Sequence, residues 1–210
     1  GVQGLTGIDP VRQDRFVRPL IRLPKPDILK FLNALEQDFV TDSSNTDPAF
    51  LRNRVRHSLI PFLEKEFNPD IRTGLERLSG IICHEDDFMR KMTDEAKENV
   101  ILESHPGNVN LSIKELAEHH PALARRILRS ALLQVKQDLR GITHTHIQDI
   151  LDLAGPNGET GKSLDLPGQI RVYKKKRVLS IKKEETALRE LGRRKKADRL
   201  KTKGDSGMKT

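Results

Sequence analysis

Five side chains close together in the chain have the chemistry to hold an anion or a nucleophile: Asp42, Asn45, Arg52, Asn53 and Arg56. The run Asp42-Ser43-Ser44-Asn45 supplies a carboxylate, two hydroxyls and an amide. Arg52-Asn53-Arg54-Val55-Arg56 then supplies guanidiniums four residues apart. At about 100° per residue, Arg52, Arg56 and Asn53 fall on one helix face within roughly 100° of arc. Two guanidiniums and an amide beside a carboxylate loop suit a phosphate, a carboxylate or a base edge. Surface arginines on an N-capped helix share this spacing, so the pattern alone leaves both readings open.

The elements around this group follow from punctuation and periodicity. Residues 1–25 read as irregular or strand-like, with Gly1, Gly4 and Gly7 at every third position and Asp9-Pro10 as a turn. Pro26 with Asp27 suits a helix start, and Ile28, Phe31, Leu32 and Leu35 carry helical spacing to about Phe39. Asp47 is a good N-cap with Pro48 at the first helical position, and the helix runs to about Phe67, with Pro61 kinking or splitting it. Asn68-Pro69-Asp70 opens a further helix whose Ile71, Leu75, Leu78 and Ile82 form a buried stripe reaching towards Leu102. His105-Pro106-Gly107-Asn108 is a break and the expected domain boundary. Ser112 with Glu115 reads as a capping box. Helices are expected at 121–139, ended by Gly141, and at 143–154. The period then shifts to two at Leu164/Leu166 and Ile170/Val172, which signals two or three short strands.

Charge is distributed unevenly. The net charge is +8, yet residues 174–210 hold 15 Lys or Arg against 5 acids and residues 1–173 hold 23 against 25. A basic end of this kind binds nucleic acid through phosphates, or is simply a solvated tail. One cysteine, Cys83, excludes an internal disulfide and any multi-cysteine metal site, and fits a reducing, cytoplasmic setting. No apolar run is long enough to span a bilayer, and the N-terminus lacks the pattern of a signal peptide. The stretch Gly155 to Ser163 imitates a Walker loop, but the required first glycine falls on Pro156 and a helix precedes it. The histidines at 84, 119, 120, 144 and 146 lack companion ligands at metal spacing. Tyr173, the sole tyrosine, is expected to pack on the core, with base stacking as the alternative.

Asp-x-Ser-Asn followed by Arg-Asn-x-x-Arg and a later Pro is similar to the signature of the tRNA(Ile)-lysidine synthases, members of the PP-loop ATP-pyrophosphatase superfamily. Other features fall in the same order. Gly4-Leu5-Thr6-Gly7-Ile8 resembles a Gly-Leu-x-Gly-Ile loop, and Arg18-Pro19-Leu20 an Arg-Pro-Leu segment. Arg125-Arg126 lies on a helix like one in the later helical domain, and Leu164 to Ile181 resembles a Leu-Pro-Gly hairpin. The resemblance spans roughly residues 1–183 and is most specific in the first third.

It implies an ATP- and Mg²⁺-dependent ligase that adenylates the wobble cytidine of an isoleucine tRNA, after which L-lysine attacks to give lysidine. Asp42, Asn45, Arg52, Asn53 and Arg56 are then the catalytic candidates. Gly4, Gly7, Arg18, Arg125, Arg126 and Arg129 are candidates for tRNA contact, around the anticodon region. The implied partners are tRNA(Ile) and L-lysine, with no membrane and with a homodimer left open.

The expected fold is mainly α: the later half of an α/β PP-loop-type domain over 1–104, a small helical domain with a terminal β-hairpin over 105–183, and a disordered basic tail over 184–210. The family's Ser-Gly-Gly-x-Asp-Ser ATP loop has no counterpart here, so this polypeptide alone is expected not to turn over ATP. A non-catalytic tRNA-binding module and another PP-loop tRNA-modifying enzyme are the alternatives. A single cysteine speaks against a thiolation enzyme.

Overall fold

Proline and asparagine punctuate the first hundred residues. The computed structural model describes residues 2–8, 10–12, 15–40 and 42–185; the basic tail from 186 lies outside the described residues. A short 3₁₀ turn precedes a two-stranded antiparallel ladder of β1 (Val11–Arg12) and β2 (Phe16–Val17). Helix α1 (Lys25–Ala34) has Pro26 and Asp27 in its first turn, and Glu36 at φ 52 follows its end. Asp47 caps the amide of Ala49 at 2.8 Å, but only a turn forms there, and α2 (Leu51–Arg54) begins later than the Asp47-Pro48 signal predicts. A π turn, Val55–Leu59, joins α2 to α3 (Ile60–Glu66). Pro61 explains it. Proline cannot donate to the carbonyl four residues back, and the chain widens to an i→i−5 bond from the Ile60 amide to the Val55 carbonyl. The predicted break is thus absorbed as a bulge.

Helix α4 (Ile71–Val100) opens after Asn68, whose Oδ1 accepts the Asp70 amide at 2.9 Å. The chain divides into two compact units, 1–88 and 89–210, with the division inside α4. Within the first unit only Asn53 and Ile82 are buried among the described residues. The predicted stripe is therefore buried at one position. Leu75 and Leu78 are 48% and 46% exposed, since the described residues of this unit build no second layer over that face.

The second unit is a five-stranded antiparallel sheet backed by helices. In chain order it adds β3 (Ile101–His105), β4 (Asn108–Ser112), α5 (Ile113–Glu118), α6 (Pro121–Lys136), α7 (His144–Ala154), β5 (Ser163–Leu166), β6 (Ile170–Lys175) and β7 (Val178–Lys183). The sheet order is β3-β4-β7-β6-β5. The expected hairpin, Leu164 to Ile181, is thus the β5–β6–β7 part of a larger sheet. The Pro106-Gly107 break expected to bound a domain is instead the β3–β4 turn, with Gly107 at φ 75. Helix α6 ends earlier than Gly141, at Gln137, which adopts φ 71 and donates its amide to the Leu133 carbonyl. Ile127, Leu128, Ala131 and Leu132 of α6 are fully buried with Val109, Leu111, Val172, Leu179 and Ile181 of the sheet and Ile150 of α7. Each large aliphatic chain buried this way contributes about 1.5–3 kcal/mol. Among the described residues no helix is long and apolar enough to cross a membrane.

One inward position of β6 is not apolar. Alternation sends Ile170, Val172 and then Lys174 to the helix side. Lys174 is buried, and its Nζ donates to the carbonyls of Ala154 (3.3 Å), Gly155 (2.7 Å) and Gly158 (2.8 Å). An ammonium has three donors and all three are used, at the negative end of α7. Gly158 makes the wrap possible, for a Cβ there would lie 1.9 Å from the Leu153 carbonyl oxygen. The segment that imitates a phosphate loop therefore turns carbonyls towards a cation, the opposite polarity. Replacing Lys174 with Met should leave these carbonyls without a donor and lower stability by about 2–4 kcal/mol. Thermal unfolding followed by circular dichroism checks this; an unchanged Tm contradicts it.

Candidate functional site

The loop before α2 is shaped by one buried amide. Asn53 is 2% exposed, and its Nδ2 donates to the carbonyls of Ser44 and Asp47, both at 2.8 Å. Both amide protons are spent on the loop, so Asn53 leaves the exposed face that helical spacing assigned to it. Asn45 is tied from outside the loop: its carbonyl lies 3.1 Å from His57 Nε2, which donates in the tautomer protonated there. Its amide donates to the Asp42 carbonyl at 3.1 Å.

Asp42 stands at the open end of this loop. Its Oδ1 accepts the Ser44 amide at 2.8 Å. That bond, then the Ser44 hydroxyl, and at longer range the Arg52 charge, hold its carboxyl below the ordinary aspartate value. Asp42 is thus an ionised, exposed carboxylate with a fixed direction.

Arg52 and Arg56 remain exposed. The Arg52 guanidinium sits over the Phe50 ring, 5.2 Å from its centre. Together with Arg72, and with Leu51, Val55 and Ile60 between them, they line a shallow depression of 490 Å³. Arg72 is held in place by Glu64. His57 and Arg72 were not singled out from sequence. His57 follows Asn53 by one turn, a spacing that could have marked it. Arg72 lies beyond Pro61 and Pro69, where helical phase cannot be carried forward.

The remaining candidates belong to other elements. Gly7 has φ 81, and the neighbouring Thr6 carbonyl accepts the Ser79 hydroxyl at 3.1 Å, which seats the loop on α4. Gly4 has open space around it. The half-buried Arg18 donates its amide to the Pro10 carbonyl at 2.8 Å. Arg125, Arg126 and Arg129 are half-buried on α6, in the other unit. Arg125 reaches Gln148 on α7 at 3.4 Å, and its Nε is buried without a partner. Two of the histidines cap helices: His120 Nδ1 accepts the Ala122 amide, and His146 Nδ1 accepts the Thr143 amide. No three metal-ligating side chains gather among the described residues.

Two outcomes follow from this geometry. Asn53→Ala should release the loop, with amide exchange at Ser44 and Ala49 faster by about 10- to 100-fold, the equivalent of one to two buried hydrogen bonds; unchanged exchange rates would refute the clamp. For Asp42, the folded pKa lies below the unfolded one. Its contribution is present above the unfolded value near 3.8 and is lost as pH falls through the lower folded value. The Ser44 amide proton shift should therefore titrate with a midpoint below 3.8; a midpoint at or above it contradicts the assignment.

The family model for a PP-loop domain matches residues 1–63, and the model for a TilS substrate binding domain matches residues 111–176. The chain is 31% identical over 186 residues to a tRNA(Ile)-lysidine synthase of Caldanaerobacter subterraneus, covering 89% of this chain and 39% of that protein. For the synthase of Clostridioides difficile the values are 27% over 191 residues, covering 91% and 41%. For that of Geobacter sulfurreducens they are 33% over 173 residues, covering 82% and 36%. The chain thus spans about two fifths of the length of these curated relatives. With one family model over the motif-bearing segment, another over the helix-backed sheet, and relatives aligned through both, the chain belongs to the tRNA(Ile)-lysidine synthase family.

Proposed function

We propose that this chain supplies part of the pocket in which L-lysine is ligated to the wobble cytidine of an isoleucine tRNA. The observation that carries this reading is the pre-shaped group at 42–56: an ionised Asp42 on a loop clamped by Asn53, beside a depression lined by Arg52, Arg56 and Arg72. Asp42 receives the lysine ammonium and keeps it beside the reacting base. Arg52 and Arg56 meet phosphate oxygens of ATP or of the anticodon strand, where a guanidinium gives paired, charge-assisted bonds. Asn53 and His57 touch no substrate in this scheme; they position Asp42 and Asn45.

The donor set fits a nucleotide phosphate, being cationic with apolar stems between the charges. ATP, when bound, supplies the group that activates the cytidine for displacement. Mg²⁺ belongs to the same reading as the companion of ATP, and no side chain of this chain is assigned to it. A cytoplasmic location also belongs to it. Exposed apolar side chains of the first unit, such as Phe31, Leu75 and Leu78, are read as the face covered by the rest of a PP-loop domain. Arg125, Arg126 and Arg129 of the second unit are read as contacts to the body of the tRNA.

The test is lysidine formation by an enzyme that contains this chain together with a Ser-Gly-Gly-x-Asp-Ser ATP loop. Arg56→Ala should lower the rate by about 100-fold, the scale of losing one oriented charge-stabilising donor, with Tm unchanged. A stable Arg56→Ala enzyme of full activity would remove Arg56 from the site.

A further inference from the structure

The β6–β7 turn carries charge that the sheet has no use for. Lys175 pairs with Val178 across the ladder, which leaves Lys176 and Arg177 as a two-residue turn. Lys176 adopts φ 46, a left-handed conformation that hairpin turns ordinarily give to Gly, Asn or Asp. Three consecutive cations therefore crowd one tip, one of them in a backbone state unfavourable for its type.

Carboxylates of the segments flanking the hairpin are engaged elsewhere. Glu159 pairs with Lys162 at 2.9 Å, Asp165 with Arg171, and Glu184 with the Tyr173 hydroxyl. Among the described residues no carboxylate forms an ion pair with Lys175, Lys176 or Arg177. Lys175 Nζ lies 6.0 Å from the centre of the Tyr173 ring, which faces away from the core, on the side of the sheet opposite Val172.

The tip is also anchored. The Arg177 carbonyl accepts the Ile113 amide at 2.9 Å, and the Lys174 carbonyl accepts the Gly161 amide at 2.8 Å. A depression of 610 Å³ lies between the tip and Thr160-Gly161. Uncompensated like charges on a fixed frame oppose the free state and favour a polyanion, and a fixed frame loses little entropy on binding.

We infer that the β6–β7 tip grips the sugar–phosphate backbone of RNA, with Lys175, Lys176 and Arg177 each meeting a backbone phosphate. The inference rests on the tRNA reading above and adds to it the element that makes this contact. RNA fits better than a lipid surface because the exposed residues of the tip are all charged, with no exposed aromatic or aliphatic chain to insert.

The test is binding of an isoleucine tRNA transcript to the whole chain between about 50 and 200 mM salt, where the salt slope counts phosphate contacts. Lys175→Gln/Lys176→Gly/Arg177→Gln should bind about tenfold or more weakly at low salt, with a log–log slope shallower by about two. Lys176→Gly alone relieves the left-handed strain, so it should raise Tm and still weaken binding by about threefold. Lys30→Gln, on α1, should bind as the parent does. Equal affinity and slope for the triple variant overturn the inference while leaving the tRNA reading intact. A parent chain that binds no tRNA overturns both. Loss of binding to phosphatidylserine vesicles with tRNA affinity unchanged would reassign the tip to membranes and overturn the inference.

Discussion

The buried carboxamide of Asn53 is the constraint on which the candidate site depends. Without it, Ser44 and Asp47 would present carbonyls to solvent and the loop between them would have no fixed shape. With it, Asp42 has one direction, set by a bond to the Ser44 amide, and Asn45 comes within reach of His57. The amide costs little to bury because both of its protons are satisfied. Its value lies in converting a flexible polar run into a rigid edge next to an arginine-lined depression. The π turn serves the same end. It absorbs Pro61 without ending the helix, so Arg56 stays in a continuous run with Arg52.

The two units meet the burial requirement in different ways. In the second, α6 seals one face of the five-stranded antiparallel sheet, and even a lysine is accommodated because carbonyls at the end of α7 receive it. In the first, apolar side chains remain exposed along α1 and α4, and the buried residues among those described are few. A layer with one uncovered apolar face calls for a second layer. The PP-loop domain model matches residues 1–63 of this unit, which include α1.

Much of this was legible from residues alone, and the exceptions have physical causes. Caps and periodicity located α5, α6 and α7, and the shift to period two located β5, β6 and β7. Strands β3 and β4 were missed. Ile101 and Leu102 continue the helical run of α4, and Asn108 and Asn110 are poor strand formers that owe their state to pairing with β7. Lys174 was hidden for a related reason: a charged residue reads as outward until its acceptors are seen. At the site, spacing correctly kept Arg52 and Arg56 together but placed Asn53 beside them, since the carbonyls that bury it come from a loop whose path no periodicity encodes. Tyr173 was expected against the core and lies on the opposite face, one step of alternation from Val172.

In the proposed function, residues 42–56 border the reacting base. An isoleucine tRNA carrying a photoreactive analogue of the wobble cytidine tests this most directly, bound to an enzyme that contains this chain and its ATP loop. Crosslinks are expected within 42–56, concentrated near Asp42 and Arg56. Crosslinks that form efficiently but map only elsewhere in the protein would contradict it.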